Sequence, residues 1–233
     1  MLEISNLNTY YGRAHILTDL SLNVQRGEVV ALLGRNGAGK STTLKSINGL
    51  VQPESGSIVF ENESLNRQSA HVVCRRGIGY VPEERRIFTD LTVMENLEVG
   101  TRPPRKEFPV WTPERVFEIF PNLAEMRNRP GGQMSGGEQQ MLTIARTLMG
   151  NPKLVLLDEP SEGLAPVIVQ QMAKTIHDLK REGLTIILSE QNLRFATKLA
   201  DRAYIIEKGV IQYEGTMDDL AADEDVRNAY LTV

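Results

Sequence analysis

The chain has 233 residues and is short of several things. It carries one cysteine, Cys74, so no internal disulfide can form and no cysteine-based zinc cluster can be built. A lone thiol fits a reducing compartment, and the expected role for it is that of a small buried apolar side chain. The three histidines, His15, His71 and His177, lack ligand-like spacing and read as surface or packing residues. No apolar run approaches the roughly 18–20 residues that span a bilayer. The start, Met1-Leu2-Glu3-Ile4-Ser5, has no basic segment followed by an apolar one, which predicts a soluble cytoplasmic chain. Positive charge is not in excess: 26 Lys and Arg against 30 Asp and Glu leave a net charge of −4. That balance gives no electrostatic case for nucleic acid or an anionic membrane, so any membrane role runs through a partner. Internal repeats, low-complexity tracts and long heptad runs are missing too. The length suits one α/β domain with a sizeable core and room for a subdomain.

What is present centres on Gly34-Arg35-Asn36-Gly37-Ala38-Gly39-Lys40-Ser41-Thr42. The apolar run Val29-Val30-Ala31-Leu32-Leu33 precedes it and Thr43-Leu44-Lys45-Ser46-Ile47 follows, which predicts strand, glycine turn, helix. This is P-loop spacing. Its glycines let consecutive backbone N–H groups curl around a phosphate, and the positive end of the helix points at the same oxygens. Lys40 would bring a mobile positive charge to the outer phosphates, and the Ser41 hydroxyl is placed to bind Mg²⁺.

On either side, Leu2-Glu3-Ile4-Ser5-Asn6-Leu7 and Ser21-Leu22-Asn23-Val24 alternate, predicting an antiparallel edge beside the nucleotide core. Strands are expected over 57–60 and 78–81. Residues 89–150 change character: helical spacing over 91–97, an amphipathic helix over 113–120 and another over 135–149, with no strand pattern. We read them as a helical subdomain inserted in a core made of residues 1–88 and 151–233. Trp111 lies in a proline-rich loop there and reads as a packed anchor. Buried parallel strands over 154–157 and 185–189 flank a helix over 167–181, and residues 203–213 form a hairpin. The last twenty residues are acidic and helical and are expected to cover the core.

Two further groups carry chemistry. Asp158 and Glu159 end the apolar run Leu154-Val155-Leu156-Leu157, and ligands of open α/β sheets sit at the carboxyl ends of strands. Asp158 would hold Mg²⁺ directly or through water, and Glu159 would polarise the water attacking a γ-phosphate. Ser135-Gly136-Gly137-Glu138-Gln139-Gln140 opens a helix, because Ser135 with Glu138 three residues on is a capping box. Two glycines at such an N-terminus leave bare N–H groups, a second phosphate grip.

Together these residues resemble the ATP-binding cassette (ABC) family over nearly the whole chain. Residues 34–42 resemble its Walker A, Met134-Ser135-Gly136-Gly137-Glu138-Gln139 its signature motif, and residues 154–159 its Walker B. The resemblance implies a P-loop ATPase fold with an antiparallel β edge. It also makes Tyr11 the aromatic on which adenine stacks, and Gly34, Asn36, Gly37, Ala38, Gly39, Lys40, Ser41 and Thr42 the nucleotide loop. Ser135, Gly136, Gly137 and Glu138 would grip ATP held by a second ATP-binding subunit. Mg²⁺ would be held by Ser41, Asp158 and Glu83.

Several positions depart from the usual family pattern. Glu83 stands where the family has the Q-loop glutamine, Gln191 replaces the switch histidine, and Ala165 takes the D-loop aspartate position. Glu83 keeps a hard oxygen for Mg²⁺ or its waters. Gln191 can touch a γ-phosphate but cannot shuttle a proton, leaving Glu159 as the catalytic base, or at least the group that orients the water, with Gln191 beside it. As a set, Pro-Glu-x-Arg-Arg, Met-Ser-Gly-Gly-Glu-Gln-Gln-Met, Gly-Leu-Ala-Pro and Glu-Gln-Asn resemble the ATPases of high-affinity branched-chain amino-acid transporters. Importers of urea, short amides or aromatic acids share the branch. That resemblance implies two ATPases, two integral membrane permease subunits and a solute-binding protein, with the ATPase peripheral at the cytoplasmic face. It also implies a groove over about 83–101 that receives a short helix of the membrane subunit, with Phe88, Leu91 and Leu97 as candidate contacts. Three rivals remain: a non-transport ABC ATPase, a nucleotide switch that does not hydrolyse, and a small-molecule kinase.

Overall fold

The structure is a computed structural model and describes residues 1–230. β1 (Leu2–Tyr11) turns through Gly12, at φ +59°, into the antiparallel β2 (Ala14–Val24). Leu2, Ile4, Leu22 and Val24 are buried as the alternation requires, and a bulge between Ile4 and Leu7, with Asn6 at φ +48°, brings Leu7 to the same side, where Leu20 is buried too. After β3 (Val29–Leu33) and α1 (Lys40–Ile47), β4 (Ser55–Phe60) pairs with the free side of β1. With the two-residue β5 (Glu63–Ser64) this makes a four-stranded antiparallel sheet, order β2-β1-β4-β5.

α2 (Ala70–Arg76) is a helix that sequence periodicity did not give; Gly77 at φ +109° closes it before β6 (Ile78–Val81). Val73 is its one buried side chain, and one step round the helix carries Cys74 out to the surface. The expectation of a buried cysteine is therefore wrong: Cys74 is exposed.

From Val93 to Leu148 every regular element is helical. α3 (Val93–Gly100) is opened by a Thr92–Glu95 capping box. α4 (Pro113–Ile119) and α5 (Pro121–Glu125) each begin with proline, where the missing N–H has no partner to lose. α6 (Gly136–Leu148) buries eight residues. Its capping box is formed in full: Ser135 N–H donates to Glu138 Oε2 at 2.7 Å, and Glu138 N–H donates to Ser135 Oγ at 3.4 Å. Trp111 is buried, with its backbone N–H held by Asn151 Oδ1 at 2.7 Å, as an anchor should be.

β7 (Leu154–Asp158), α7 (Pro166–Arg181), β8 (Thr185–Glu190), α8 (Leu193–Ala196), β9 (Arg202–Glu207) and β10 (Val210–Thr216) complete a six-stranded sheet, order β10-β9-β3-β8-β7-β6. Its central pairings are parallel, and β3, β7 and β8 are buried at every residue, which is why they read as unbroken apolar runs. Alternate residues feed two cores. Val29, Ala31, Leu33, Val155, Leu157, Ile186 and Leu188 face α3, α4, α6 and α7. Val30, Leu32, Leu154, Leu156 and Ile187 face α1 and the antiparallel sheet. The helical insert thus shares one continuous core with the parallel sheet.

α9 (Met217–Ala222) sets Met217 and Leu220 into that core, and α10 (Glu224–Tyr230) packs Val226 and Tyr230 against it. The acidic tail covers the core as its composition suggests. Its last three positions, 231–233, lie outside the described residues.

Candidate active site

The parallel sheet brings three strand ends together. β3 and β7 lie on either side of β8, so the glycine loop after β3 and Asp158 at the tip of β7 are separated by the tip of β8. Gly37 at φ +78° and Gly39 at φ +116° give the loop left-handed turns that a side chain would strain. At Gly39 an added Cβ would also press on Leu17 and Ile206, which fixes the loop against β2 and β9.

α1 starts at Lys40 and carries Ser41 over the sheet, where its hydroxyl donates to Asp158 Oδ1 at 2.9 Å. Ser189 of β8 donates to the same oxygen at 2.9 Å, and the Tyr80 hydroxyl of β6 donates to Oδ2, also at 2.9 Å. Burial, followed by the Asp158 charge, pushes the Tyr80 phenol far above its ordinary value, so it stays a donor. Asp158 is almost wholly buried and is held in a fixed orientation by these three hydroxyls.

Lys40 departs from the mobile cation that its motif suggests. It is 3% exposed, and its ammonium donates to Gly34 O at 2.8 Å and Arg35 O at 3.1 Å. It also forms an ion pair with Glu159 Oε1 at 3.0 Å. Glu159 is 7% exposed and sits at φ +46°, a left-handed turn that costs a non-glycine residue about 1–3 kcal/mol. Its other oxygen accepts from Gln191 Nε2 at 3.1 Å, and Gln191 also donates to Glu162 at 3.2 Å. The structure therefore joins Lys40, Glu159 and Gln191 into one hydrogen-bonded row.

Glu83 lines the same cleft as Lys40, Ser41 and Glu159, as do Tyr11, Asn36, Gly37, Gly39 and Thr42. Burial first, then the charges of Glu159, Asp158, Glu162 and Glu84, holds its carboxyl above the ordinary carboxylate range. A cation arriving there would relieve that repulsion. The oxygens of Ser41, Asp158 and Glu83 are hard donors suited to Mg²⁺. Among the described residues no group of three His, Cys, Asp or Glu could hold a metal ion by itself. Tyr11 ends β1 at the rim, with its ring half exposed, while Ala38 is buried in the turn and Gly34 backs onto Ile206.

Ser135, Gly136, Gly137 and Glu138 do not line this cleft. Gly137 lies against Ile168 of α7, and Gly136 lies under the guanidinium of Arg85, where a Cβ would stand 2.5 Å from Nη1. Ala165 is the N-cap of α7 and makes no side-chain cap, a bond that aspartate would supply. Of the three candidate groove contacts, Phe88 is 47% exposed and lines a cavity, Leu91 is half-buried, and Leu97 is fully buried. Leu97 sits on the same face of α3 as Val93 and Asn96, turned into the core, so it is a packing residue rather than a groove contact.

Sequence reasoning missed Tyr80, Ser189, Glu190 and Glu162. Glu190 is buried, with its carboxylate accepting from the backbone N–H groups of Ser161 at 3.2 Å and Asn192 at 3.3 Å. Burial pushes its carboxyl up to about 7, against those bonds. The one available signal was two polar residues, Ser189 and Glu190, closing a buried apolar strand.

A P-loop after one strand and a carboxylate at the tip of the next strand but one define a P-loop nucleoside-triphosphate hydrolase. Comparison with known proteins narrows the class. Residues 17–162 match the family described as ABC transporter, and the chain belongs to that family. It is 48% identical over 231 residues to the high-affinity branched-chain amino acid transport ATP-binding protein BraG of Pseudomonas aeruginosa, covering 99% of each chain. It is 38% identical over 233 residues to the lipopolysaccharide export system ATP-binding protein LptB of Haemophilus influenzae, covering 99% of this chain and 97% of that one. Among solved structures, the ADP conformation of the cassette MJ1267 superposes with a TM-score of 0.82 at 28% identity, covering 98% and 97%. The dimeric bacterial cassette MJ0796 gives 0.79 at 26% identity, covering 93% and 99%. The chain is an ATP-binding, ATP-hydrolysing transporter subunit. No helix among the described residues is long and apolar enough to cross a membrane.

Proposed function

We propose that the chain drives import of branched-chain amino acids, working as one of two ATPase subunits at the cytoplasmic face of the membrane. The observation that carries the solute class is the 48% identity to BraG across both full lengths, against 38% for LptB. Each of two permease subunits would sit on the groove bounded by Phe88 in one ATPase chain, and a solute-binding protein would deliver cargo that this chain never touches.

Pairing is supported by the cleft itself, which gathers the P-loop, Glu83 and Glu159 but none of Ser135, Gly136, Gly137 or Glu138. Half of the phosphate grip faces elsewhere, as it would if each ATP lay between the P-loop of one chain and the α6 N-terminus of a second. ATP then joins the pair because it contacts both, and hydrolysis removes that differential contact. The second chain is another copy or a related ATPase.

Each residue has a part in this scheme. Tyr11 stacks on adenine, and the loop from Gly34 to Thr42 wraps the phosphates. Ser41, Asp158 and Glu83 would hold Mg²⁺, which would supply charge neutralisation at the phosphates. A triphosphate offers the Lys40 ammonium more negative charge than Glu159 does. Lys40 moves to it, and the released Glu159 carboxylate turns from counter-ion to base, with Gln191 holding its second oxygen.

Purification of the chain with its membrane subunits tests this reading. Turnover in vesicles should rise when leucine and its receptor are added. Turnover insensitive to amino acids but dependent on lipopolysaccharide would favour the second reading, export, which the LptB relatives support.

A further inference from the structure

Glu190 closes β8, the strand that lies between β3 and β7, so three loops of the site start beside it. It is buried, and no step described so far uses its carboxylate. Its main-chain oxygen accepts from Gly34 N–H at 3.3 Å, where the glycine loop begins. Its carboxylate is shared between two backbone donors. Oε1 accepts from Ser161 N–H at 3.2 Å, and Oε2 accepts from Asn192 N–H at 3.3 Å. Those donors stand just beyond the two side chains that meet in the site: Ser161 follows Glu159 and Pro160, and Asn192 follows Gln191.

We propose that Glu190 is a positioning residue for ATP hydrolysis, a buried carboxylate that sets the turn after Glu159 against the Gln191 loop so that those two side chains meet. This rests on the reading above, in which Glu159 is the base and Gln191 holds its second oxygen. Glu159 N–H is held by Ser189 O at 3.0 Å, which anchors the turn where it leaves the sheet. Pro160 has no N–H to offer, so Ser161 supplies the next backbone donor. The bond from Glu162 N–H to Glu159 O, at 3.1 Å, closes the turn on itself. It is the Ser161 bond that fastens the far side of Glu159 to the end of β8. A residue at φ +46° keeps that conformation only when its surroundings hold it on both sides. The Asn192 bond curls the chain around Gln191, and Asn192 Oδ1 in turn accepts from Phe195 N–H at 3.1 Å to open α8. Gln191 is thereby fixed with its amide 3.1 Å from Glu159. A carboxylate accepts at both oxygens and so holds both loops, whereas a carboxamide has one acceptor oxygen and must release one of them.

The test compares Glu190→Gln, Gln191→Ala and the double variant in ATP hydrolysis. Assay at pH 8 keeps the Glu190 carboxyl, which burial pushes up to about 7, in the form that accepts at both oxygens. Rates are counted per site titrated with a non-hydrolysable ATP analogue, so unfolded protein does not enter. Glu190→Gln should lower kcat about tenfold while KM for ATP stays within about twofold, because geometry at the reacting group is lost and binding is not. Gln191→Ala should fall to a similar extent and the double variant no further, since both act through one contact. A kcat within about twofold of the parent in Glu190→Gln overturns the proposal. So does a KM that rises in step with the fall in kcat, or losses that multiply in the double variant. Failure of the underlying reading shows separately, as a Glu159→Gln chain with parental turnover, and the positioning role falls with it.

Discussion

Glu159→Gln should separate the two roles of that carboxylate, counter-ion and base. In the parent, Lys40 and Glu159 are 3.0 Å apart, with 3% and 7% of their side chains exposed. Removing the charge of one partner of a buried pair costs about 3–5 kcal/mol. The glutamine oxygen still accepts from Lys40, so roughly 2–3 kcal/mol of that cost should remain. For a domain of this size each kcal/mol moves the melting point by about 2–4 °C, giving a drop of about 4–12 °C without nucleotide. With ATP present Lys40 has the phosphates as its partner, and the gap between variant and parent should narrow. Turnover should fall by at least about a hundredfold, because the group that takes the proton from water is gone. Differential scanning fluorimetry with and without ATP, beside a phosphate-release assay, reads both. An unchanged melting point in the nucleotide-free variant would refute the ion-pair argument, and parental turnover would refute the base.

Two other substitutions probe separate parts. Tyr11→Ala should weaken ATP binding about threefold to tenfold through lost stacking while leaving kcat at saturating ATP near the parent; nucleotide titration showing no change would remove adenine from that ring. Glu190 gives a pH test. Its folded carboxyl, pushed up to about 7, lies above the ordinary 4.5, so the native state keeps a proton that the unfolded chain has released. Its contribution to stability is full below about pH 4.5 and is lost as pH rises to about 7, a span worth roughly 3 kcal/mol. Glu190→Gln cannot titrate, so its stability relative to the parent should rise by that order between pH 5 and 7.5. A pH-independent difference in denaturant unfolding would contradict the assignment.

The parts of the site legible in the sequence are those written as local strings. The turn from Gly34 to Thr42, the apolar strand ending in Asp158 and the Ser135–Glu138 capping box each need only neighbours in the chain, and all three appear where the spacing puts them. What was not legible depends on elements far apart in sequence. The hold of Glu159 on Lys40 requires β7 and the P-loop to meet, and that of Gln191 on Glu159 requires β8 to lie next to β7. Leu97 and Cys74 were misplaced for one shared reason: composition names an apolar residue but not the face of a short helix that carries it. α2 went unread because a helix with one buried residue leaves almost no periodic trace. Tyr80 gave no sign of its bond to Asp158, since a tyrosine in a strand is what packing alone would select.

The claim on which the account rests is that each ATP is completed by a second chain, and mixing two disabled variants tests it most directly. Lys40→Ala removes the phosphate cation and keeps the α6 N-terminus. Ser135→Asp keeps a helix cap as good as serine but sets a negative charge where a phosphate should lie. Each variant alone should be inactive. Mixed, one interface of every heterodimer pairs an intact Lys40 with an intact Ser135, and ATP hydrolysis should return. A mixture as inactive as its components would contradict the shared site, as would a Ser135→Asp chain that turns over ATP unaided.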